Sequence, residues 1–286
     1  MNDFPIIDAH LHLWDPVRLR YPWLDGRPAL NRSFLPADYR RACGALPVEQ
    51  MIFMQCECLP AQYQEEVRWV TRLAAEEEPR ITGVVTWAPL EKGAAVRPEL
   101  ERLAQNKLVK GIRRMIEFEP DPAFGLRPDF VRGVRMLAEF GLTFDLGVNY
   151  RQNQVMLQLV ERCPDVRFML DHLGKPGIRE HRLDPWREEI RQLTGFPNVY
   201  CKVSSLATPA DHQNWTIEDV RPYAEHVFEC FGFDRTVFAG DWPVSAQAAS
   251  LPRCVETLEQ IIAGCSAAEH RQFYHDNALR FYGLAE

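Results

Sequence analysis

The 286-residue sequence has no run approaching the roughly 18 uncharged apolar residues of a membrane-spanning helix. Met1-Asn2-Asp3 opens it without the basic segment and apolar stretch of a secretory leader. A membrane partner is therefore not expected, and the expected location is the cytoplasm. A surplus of positive charge is also missing: 33 Lys+Arg stand against 40 Asp+Glu, a formal net charge of -7. The basic footprint of a nucleic-acid binder is absent with it. The eight cysteines contain no C-x-x-C pair, and their scattered spacing offers no disulfide framework, so reduced and mostly buried thiols are expected. Cys56 and Cys58 stand two apart, but a structural zinc site needs two further ligands that are not nearby. Ser204-Ser205 lacks the G-x-S-x-G elbow of a serine hydrolase. No low-complexity tract or Pro/Ser-rich linker divides the chain.

What is present is an ordinary globular composition, with 46% hydrophobic and 26% charged residues, enough apolar material for a sizeable core. Eight short apolar or β-branched runs recur along it: Pro5 to His10, Met51 to Cys56, Ile81 to Trp87, Lys110 to Arg114, Leu142 to Gly147, Arg167 to His172, Val199 to Val203 and Thr236 to Asp241. Between them lie amphipathic segments such as Gln62 to Glu76, Asp129 to Phe140 and Leu251 to Ala263, whose apolar residues return every three or four positions. This alternation predicts an α/β protein, a single (β/α)8 TIM barrel over residues 1–286. The stretch from Trp14 to Leu46 carries four prolines and reads as a long first loop over the barrel mouth. Trp14 and Trp23 are then either rim aromatics or the residues that pack this loop down. Asn277 to Gly283 reads as a last helix ended by glycine.

In such a barrel the chemistry sits at the C-terminal ends of the strands. The polar residues there are His10, His12, Gln55, Glu57, Arg113, Arg114, Asn149, Asp171, His172, Lys202, Ser204 and Asp241. His10-Leu11-His12 places two imidazoles on one face of an extended segment, so both address one point. Asp241 closes an apolar strand, a costly place for a charge unless an imidazole or a metal answers it. His181, His212, His226, His270 and His275 fall outside this rim and read as surface or capping residues.

At these residues the sequence resembles the amidohydrolase superfamily, in its lactonase branch acting on sugar-acid lactones such as fuconolactone or rhamnonolactone. The pyrone-dicarboxylate lactonases are more distant. The likeness rests on IIDAHLHLWD (6–15), KGIRR (110–114), DHLGKP (171–176), FAGDWPV (238–244) and NALRFYGL (277–284), and spans essentially the whole chain. Where binuclear members carry a carboxylated lysine and a histidine at the ends of strands 4 and 5, this sequence has Arg113-Arg114 and Leu146-Gly147-Val148-Asn149. A two-metal site thus lacks its bridge, and no cofactor is expected to be required. One divalent cation, zinc, is compatible with His10, His12 and Asp241.

The resemblance implies a hydrolase opening a neutral sugar 1,5-lactone. Asp241 would be the general base, with His10, His12 and His172 polarising the carbonyl. Arg113, Lys202, Trp14, Trp87 and Trp242 would form the substrate shell, whereas Arg114 alternates to the other face. Lys202 has an equally weighted alternative as an interior ion pair. Two rival readings are a zinc-dependent decarboxylase, which needs the missing strand-5 histidine, and a non-catalytic sugar-binding barrel.

Overall fold

The computed structural model describes residues 4–285. Among them, eight strands pair in parallel and in chain order: β1 (Ile6–Leu11), β2 (Val48–Met54), β3 (Ile81–Thr86), β4 (Val109–Met115), β5 (Thr143–Gly147), β6 (Phe168–Leu170), β7 (Val199–Val203) and β8 (Thr236–Phe238). The sheet curls back on itself. The His12 N–H donates to the Trp242 carbonyl at 2.9 Å and the Asp241 N–H to the His10 carbonyl at 2.8 Å, so the chain after β8 meets β1. The structure is the expected (β/α)8 barrel. Helices follow the strands: α1 (Pro36–Cys43), α2 (Tyr63–Glu76), α3 (Arg97–Ala104), α4 (Pro128–Met136), α5 (Asn153–Arg162), α6 (Trp186–Leu193), α7 (Ile217–Phe231), α8 (Leu251–Ile261), α9 (Ala267–Arg271) and α10 (Asn277–Tyr282).

A parallel strand covered by helices outside and filled inside must be apolar on both faces, which is why the runs read as nearly continuous hydrophobic stretches. The inner faces contribute Ile7, Ala9, Ile52, Met54, Val85, Met169 and Val237 to one cluster. Phe281 and Tyr282 of α10 join it and plug the end of the barrel at which the strands begin. The outer faces, with residues such as Leu11, Phe53, Phe144 and Phe238, pack against the helices in a second, larger cluster.

β1 departs from strict alternation. Asp8 pairs with Met51 and Leu11 with Phe53, so three residues on β1 span two on β2. This bulge re-aims the strand. Asp8 points outward to the Tyr39 hydroxyl of α1, while His10, two residues on, turns inward to Arg113 and Lys202.

The first loop is more ordered than its prolines suggest. Pro36 occupies the first turn of α1, where its missing N–H costs nothing, and Asp38 accepts the Leu35 N–H at 2.9 Å. β6 and β8 are shorter than expected. They stop at Leu170 and Phe238, so Asp171, His172 and Asp241 lie in the turns that follow, His172 and Asp241 both with a φ of 52°.

Gly240 sets the position of that last turn. Its N–H donates to Asp8 Oδ1 at 2.7 Å, and a Cβ there would fall 2.5 Å from Asp8 Oδ2. Asp8 cannot easily retreat, because Tyr39 and the His10 N–H also hold it. Gly240→Ala is expected to destabilise the fold by about 1–3 kcal/mol through overpacking. Thermal melting checks this: an unchanged melting temperature would show that Asp8 gives way freely.

Candidate active site

A cavity of about 360 Å³ opens at the end of the barrel where the strands finish. His12, Arg113, His172 and Asp241 line it, and the first loop adds Trp14, Trp23 and Arg27. A larger groove of about 660 Å³ lies at the other end of β1 and is lined mainly by apolar groups such as Phe4, Ile6, Leu46, Pro47 and Val255. Only the first gathers the groups that sequence analysis placed together.

The hydrogen bonds behind the histidines decide what each ring offers. His12 Nδ1 lies 2.9 Å from the Met54 carbonyl, which can only accept, so Nδ1 carries the proton and Nε2 presents a lone pair. His10 Nε2 lies 3.1 Å from Arg113 Nη1, an obligate donor, so this nitrogen is also an acceptor. Its Nδ1 then bears the proton and faces Asp171 Oδ1 at 3.4 Å, while Lys202 Nζ, 3.3 Å from the same nitrogen, donates to Asp145 and Asp171 instead. The two Nε2 atoms face each other at 3.1 Å. Burial, reinforced by the charge of Lys202, holds His10 well below its ordinary pKa, against the pull of Asp171. Burial likewise pushes His172 down to about 4 against the pull of Asp241 and Asp171.

Asp241 sits at the focus. Its Oδ1 is 3.4 Å from His12 Nε2, 3.6 Å from His10 Nε2 and 3.8 Å from His172 Nε2. Burial raises its carboxyl, but the imidazoles of His172, His12 and His10 around it outweigh that and hold it below the usual carboxylate range. Its Oδ2 accepts from Ser205 Oγ at 2.5 Å.

His10, His12 and Asp241 could together hold a metal ion, their ligand atoms lying within 4.8 Å of one another. The donor set fits. Two neutral imidazole nitrogens whose lone pairs converge, beside an anionic oxygen, suit zinc, and the backing from Met54 and Asp171 is the arrangement that orients metal-binding histidines. Arg113 donates to His10 Nε2 at 3.1 Å, a bond that would have to give way for that nitrogen to ligate an ion.

Beneath the cavity lies a buried charge cluster. Lys202 Nζ donates to Asp145 Oδ2 at 2.7 Å and to Asp171 Oδ1 at 2.9 Å, and Tyr282 Oη donates to Asp145 Oδ2 at 2.6 Å. Burial would raise Asp171, yet Lys202 and His10 hold it well below its usual range, while for Asp145 burial wins and the carboxyl is raised.

The structure brings His10, His12, His172, Asp241, Arg113 and Trp14 to the site but leaves three expected substrate residues away from it. Lys202 has no exposed surface and belongs to the interior ion cluster. Trp87 packs between Tyr63 and the Arg114 guanidinium, with centroid distances of 5.1 and 4.9 Å. Trp242 packs edge-on against Phe34 and Tyr39. All three support the walls. Trp14 does both things considered for it: it lines the cavity, and its N–H ties down the first loop through the Leu30 and Arg32 carbonyls.

Arg27, Lys175 and Thr208 line the cavity without a role assigned from sequence, and so does Ser205, named there only as lacking a nucleophile elbow. Lys175 is neutralised by Glu117. Three of the remaining histidines differ from the surface expectation: His226, His270 and His275 are buried, His226 on the Arg187 carbonyl at 2.8 Å, His270 on Glu259 and His275 on Asp276. All eight cysteines are free, four buried and four half-buried, a wetter distribution than expected.

The amidohydrolase family matches over residues 7–284. The chain belongs to that family. An L-fucono-1,5-lactonase of Burkholderia multivorans is 31% identical over 299 residues, covering 98% of this chain and 96% of its own length. An L-rhamnono-gamma-lactonase of Scheffersomyces stipitis is 25% identical, covering 99% and 100%. A B. multivorans amidohydrolase crystallised with bound zinc superposes with a TM-score of 0.88 at 30% identity, covering 98% of this chain and 99% of that one. Within the family fold, no helix among the described residues is long and apolar enough to cross a membrane.

Proposed function

We propose that this amidohydrolase opens the lactone of a sugar acid, with Asp241 as the base that activates water. The observation that carries the reading is the convergence of three imidazole Nε2 atoms on one buried carboxylate oxygen at the cavity floor. Relatives named as lactonases of fuconic and rhamnonic acids support it.

The chemistry balances on these residues. Water adds to the lactone carbonyl carbon as Asp241 takes its proton; the ring C–O bond then breaks, and the proton passes to the departing ring oxygen. The product is a hydroxy acid that ionises and releases acid. Charge developing on the carbonyl oxygen needs a donor, and here the hydrogen bonding changes the expected roles. His12 presents a lone pair, so it serves as an acceptor for water or as a ligand rather than as a donor. Arg113 is the better donor: it lines the cavity, is fixed in charge, and its Nε–H is buried without a partner among the described residues. A zinc ion held by His10, His12 and Asp241 would supply Lewis acidity toward the carbonyl.

The substrate is a neutral sugar lactone. Arg113 is the one guanidinium on the floor, Arg27 stands exposed at the mouth beside Trp23, and Lys175 is spent on Glu117. Two substrate carboxylates would require more positioned arginines than these.

The test is acid release, read with a pH indicator, from a panel of 1,5- and 1,4-aldonolactones that includes L-fucono-1,5-lactone, alongside 2-pyrone-4,6-dicarboxylate. A higher kcat/KM for a sugar lactone is expected. Preference for the dicarboxylate, or saturable binding without turnover, would overturn the reading. Exhaustive chelation is expected to leave most of the activity, because a lactone is an activated ester and Asp241 needs no metal to accept a proton. Complete loss restored by added zinc would make Asp241 chiefly a ligand.

A further inference from the structure

Two consecutive serines follow β7, and each reaches a different residue of the site. Ser204 Oγ lies 2.9 Å from His172 Nδ1, and Ser205 Oγ lies 2.5 Å from Asp241 Oδ2. Neighbouring side chains of an extended strand point to opposite faces, so a regular continuation of β7 could not aim both hydroxyls at one cavity. The chain resolves this by turning at Ser205, whose φ is 56°, in the left-handed region that side chains other than glycine, asparagine and aspartate rarely adopt. The turn is not an isolated irregularity. Of the seven non-glycine residues with positive φ among the described residues, five line this cavity: Glu57, His172, Lys175, Ser205 and Asp241. Backbone held this way clusters where geometry serves function.

The hydroxyl has its own support. Thr208 Oγ1 lies 2.6 Å from Ser205 Oγ, and the Thr208 N–H closes the turn on the Ser205 carbonyl at 3.1 Å. With Asp241 ionised, the Ser205 proton points at Oδ2, so Thr208 must donate to Ser205. Hydrogen bonds in such a chain polarise one another and strengthen the last one. Held at Oδ2, the carboxylate has its plane fixed and keeps Oδ1 toward the three imidazoles.

We propose that Ser205, backed by Thr208, is the positioning residue of Asp241: it clamps Oδ2 and thereby sets the direction in which Oδ1 meets water. The inference rests on the reading of Asp241 as the base. Ser205 acts through Asp241, so its removal slows turnover without weakening the hold on substrate.

The decisive variant is Ser205→Gly, which deletes the hydroxyl and leaves the backbone free to keep its positive φ. On whichever aldonolactone the native enzyme opens fastest, kcat is expected to fall about 10- to 100-fold, the usual effect of removing an orienting partner, with KM within about twofold. The melting temperature should not drop. Thr208→Val, which leaves the Ser205–Asp241 contact in place, is expected to lower kcat by a smaller factor, again without moving KM, and serves as the readout should Ser205→Gly fold poorly. Ser205→Gly retaining its kcat while Asp241→Asn is inactive would overturn the clamp and leave the base assignment standing. A rise in KM at unchanged kcat would instead make Ser205 a substrate contact. If Asp241→Asn turns over normally, or the native chain opens no lactone, the underlying reading fails and the clamp with it.

Discussion

Lys202→Met is expected to be strongly destabilising, costing about 3–5 kcal/mol, because it removes a cation from a buried ion cluster and leaves Asp145 uncompensated. Lys202 is fully buried and bridges Asp145 and Asp171, both also without solvent contact. Methionine matches the length of the lysine stem, so the loss reports charge and hydrogen bonding rather than a cavity. The pH dependence gives the cluster a signature. Without Lys202, burial drives the folded pKa of Asp145 further above the unfolded value of about 3.9, so the native state binds more protons than the unfolded state across that interval. The variant's stability therefore falls as pH rises through it, and the deficit against the native protein should be larger at pH 8 than at pH 5. Urea unfolding at the two pH values measures this. A constant deficit, or none, would mean that the three groups do not share charge as drawn. Asp145→Asn in the Lys202→Met background should recover part of the loss, since one stranded anion is then gone.

The same cluster marks where reading the sequence stops. The eight strands were legible because parallel strands buried on both faces form apolar runs, and the alternation with amphipathic helices left little choice of architecture. His10, His12, His172 and Asp241 were legible because they sit at the ends of those runs. Asp145 was not, since a lone aspartate in LTFDLG has its partners 57 and 137 residues away, at Lys202 and Tyr282. Lys202 was visible as a strand-end cation, but whether it faced substrate or the interior depended on that unseen partner. The bulge in β1 leaves no mark in the composition either, although it turns His10 inward. Positive φ at Ser205 and Asp241 is equally silent, because neither residue is glycine. Arg27 and Thr208 come from loops, whose paths follow from tertiary contacts rather than period. Aromatic character is all that points Trp87 and Trp242 toward the substrate shell. Their neighbours Tyr63, Arg114, Phe34 and Tyr39 claim them instead.

Asp241→Asn is expected to abolish turnover while leaving the fold intact. The amide keeps the shape of the carboxylate and one acceptor oxygen, but it cannot take a proton from water at neutral pH. General-base catalysis contributes about 10²- to 10⁴-fold, so kcat should fall by at least about a hundredfold. The surroundings give the amide a workable orientation. Its oxygen can accept from Ser205 Oγ, and its NH2 can then face the lone pairs of His12 and His10 where the carboxylate Oδ1 stood. Hydrogen bonds from this NH2 to the two Nε2 atoms should hold the melting temperature near the native value, which separates a chemical loss from an unfolded site. KM should change little if Asp241 acts only on water, and should rise if it also touches the substrate. The measurement is kcat and KM on the best lactone of the panel, with melting followed in parallel. A folded variant that keeps more than about a hundredth of the native kcat would remove Asp241 from the role of base, and the next group to test would be Glu57, the remaining carboxylate on the cavity wall.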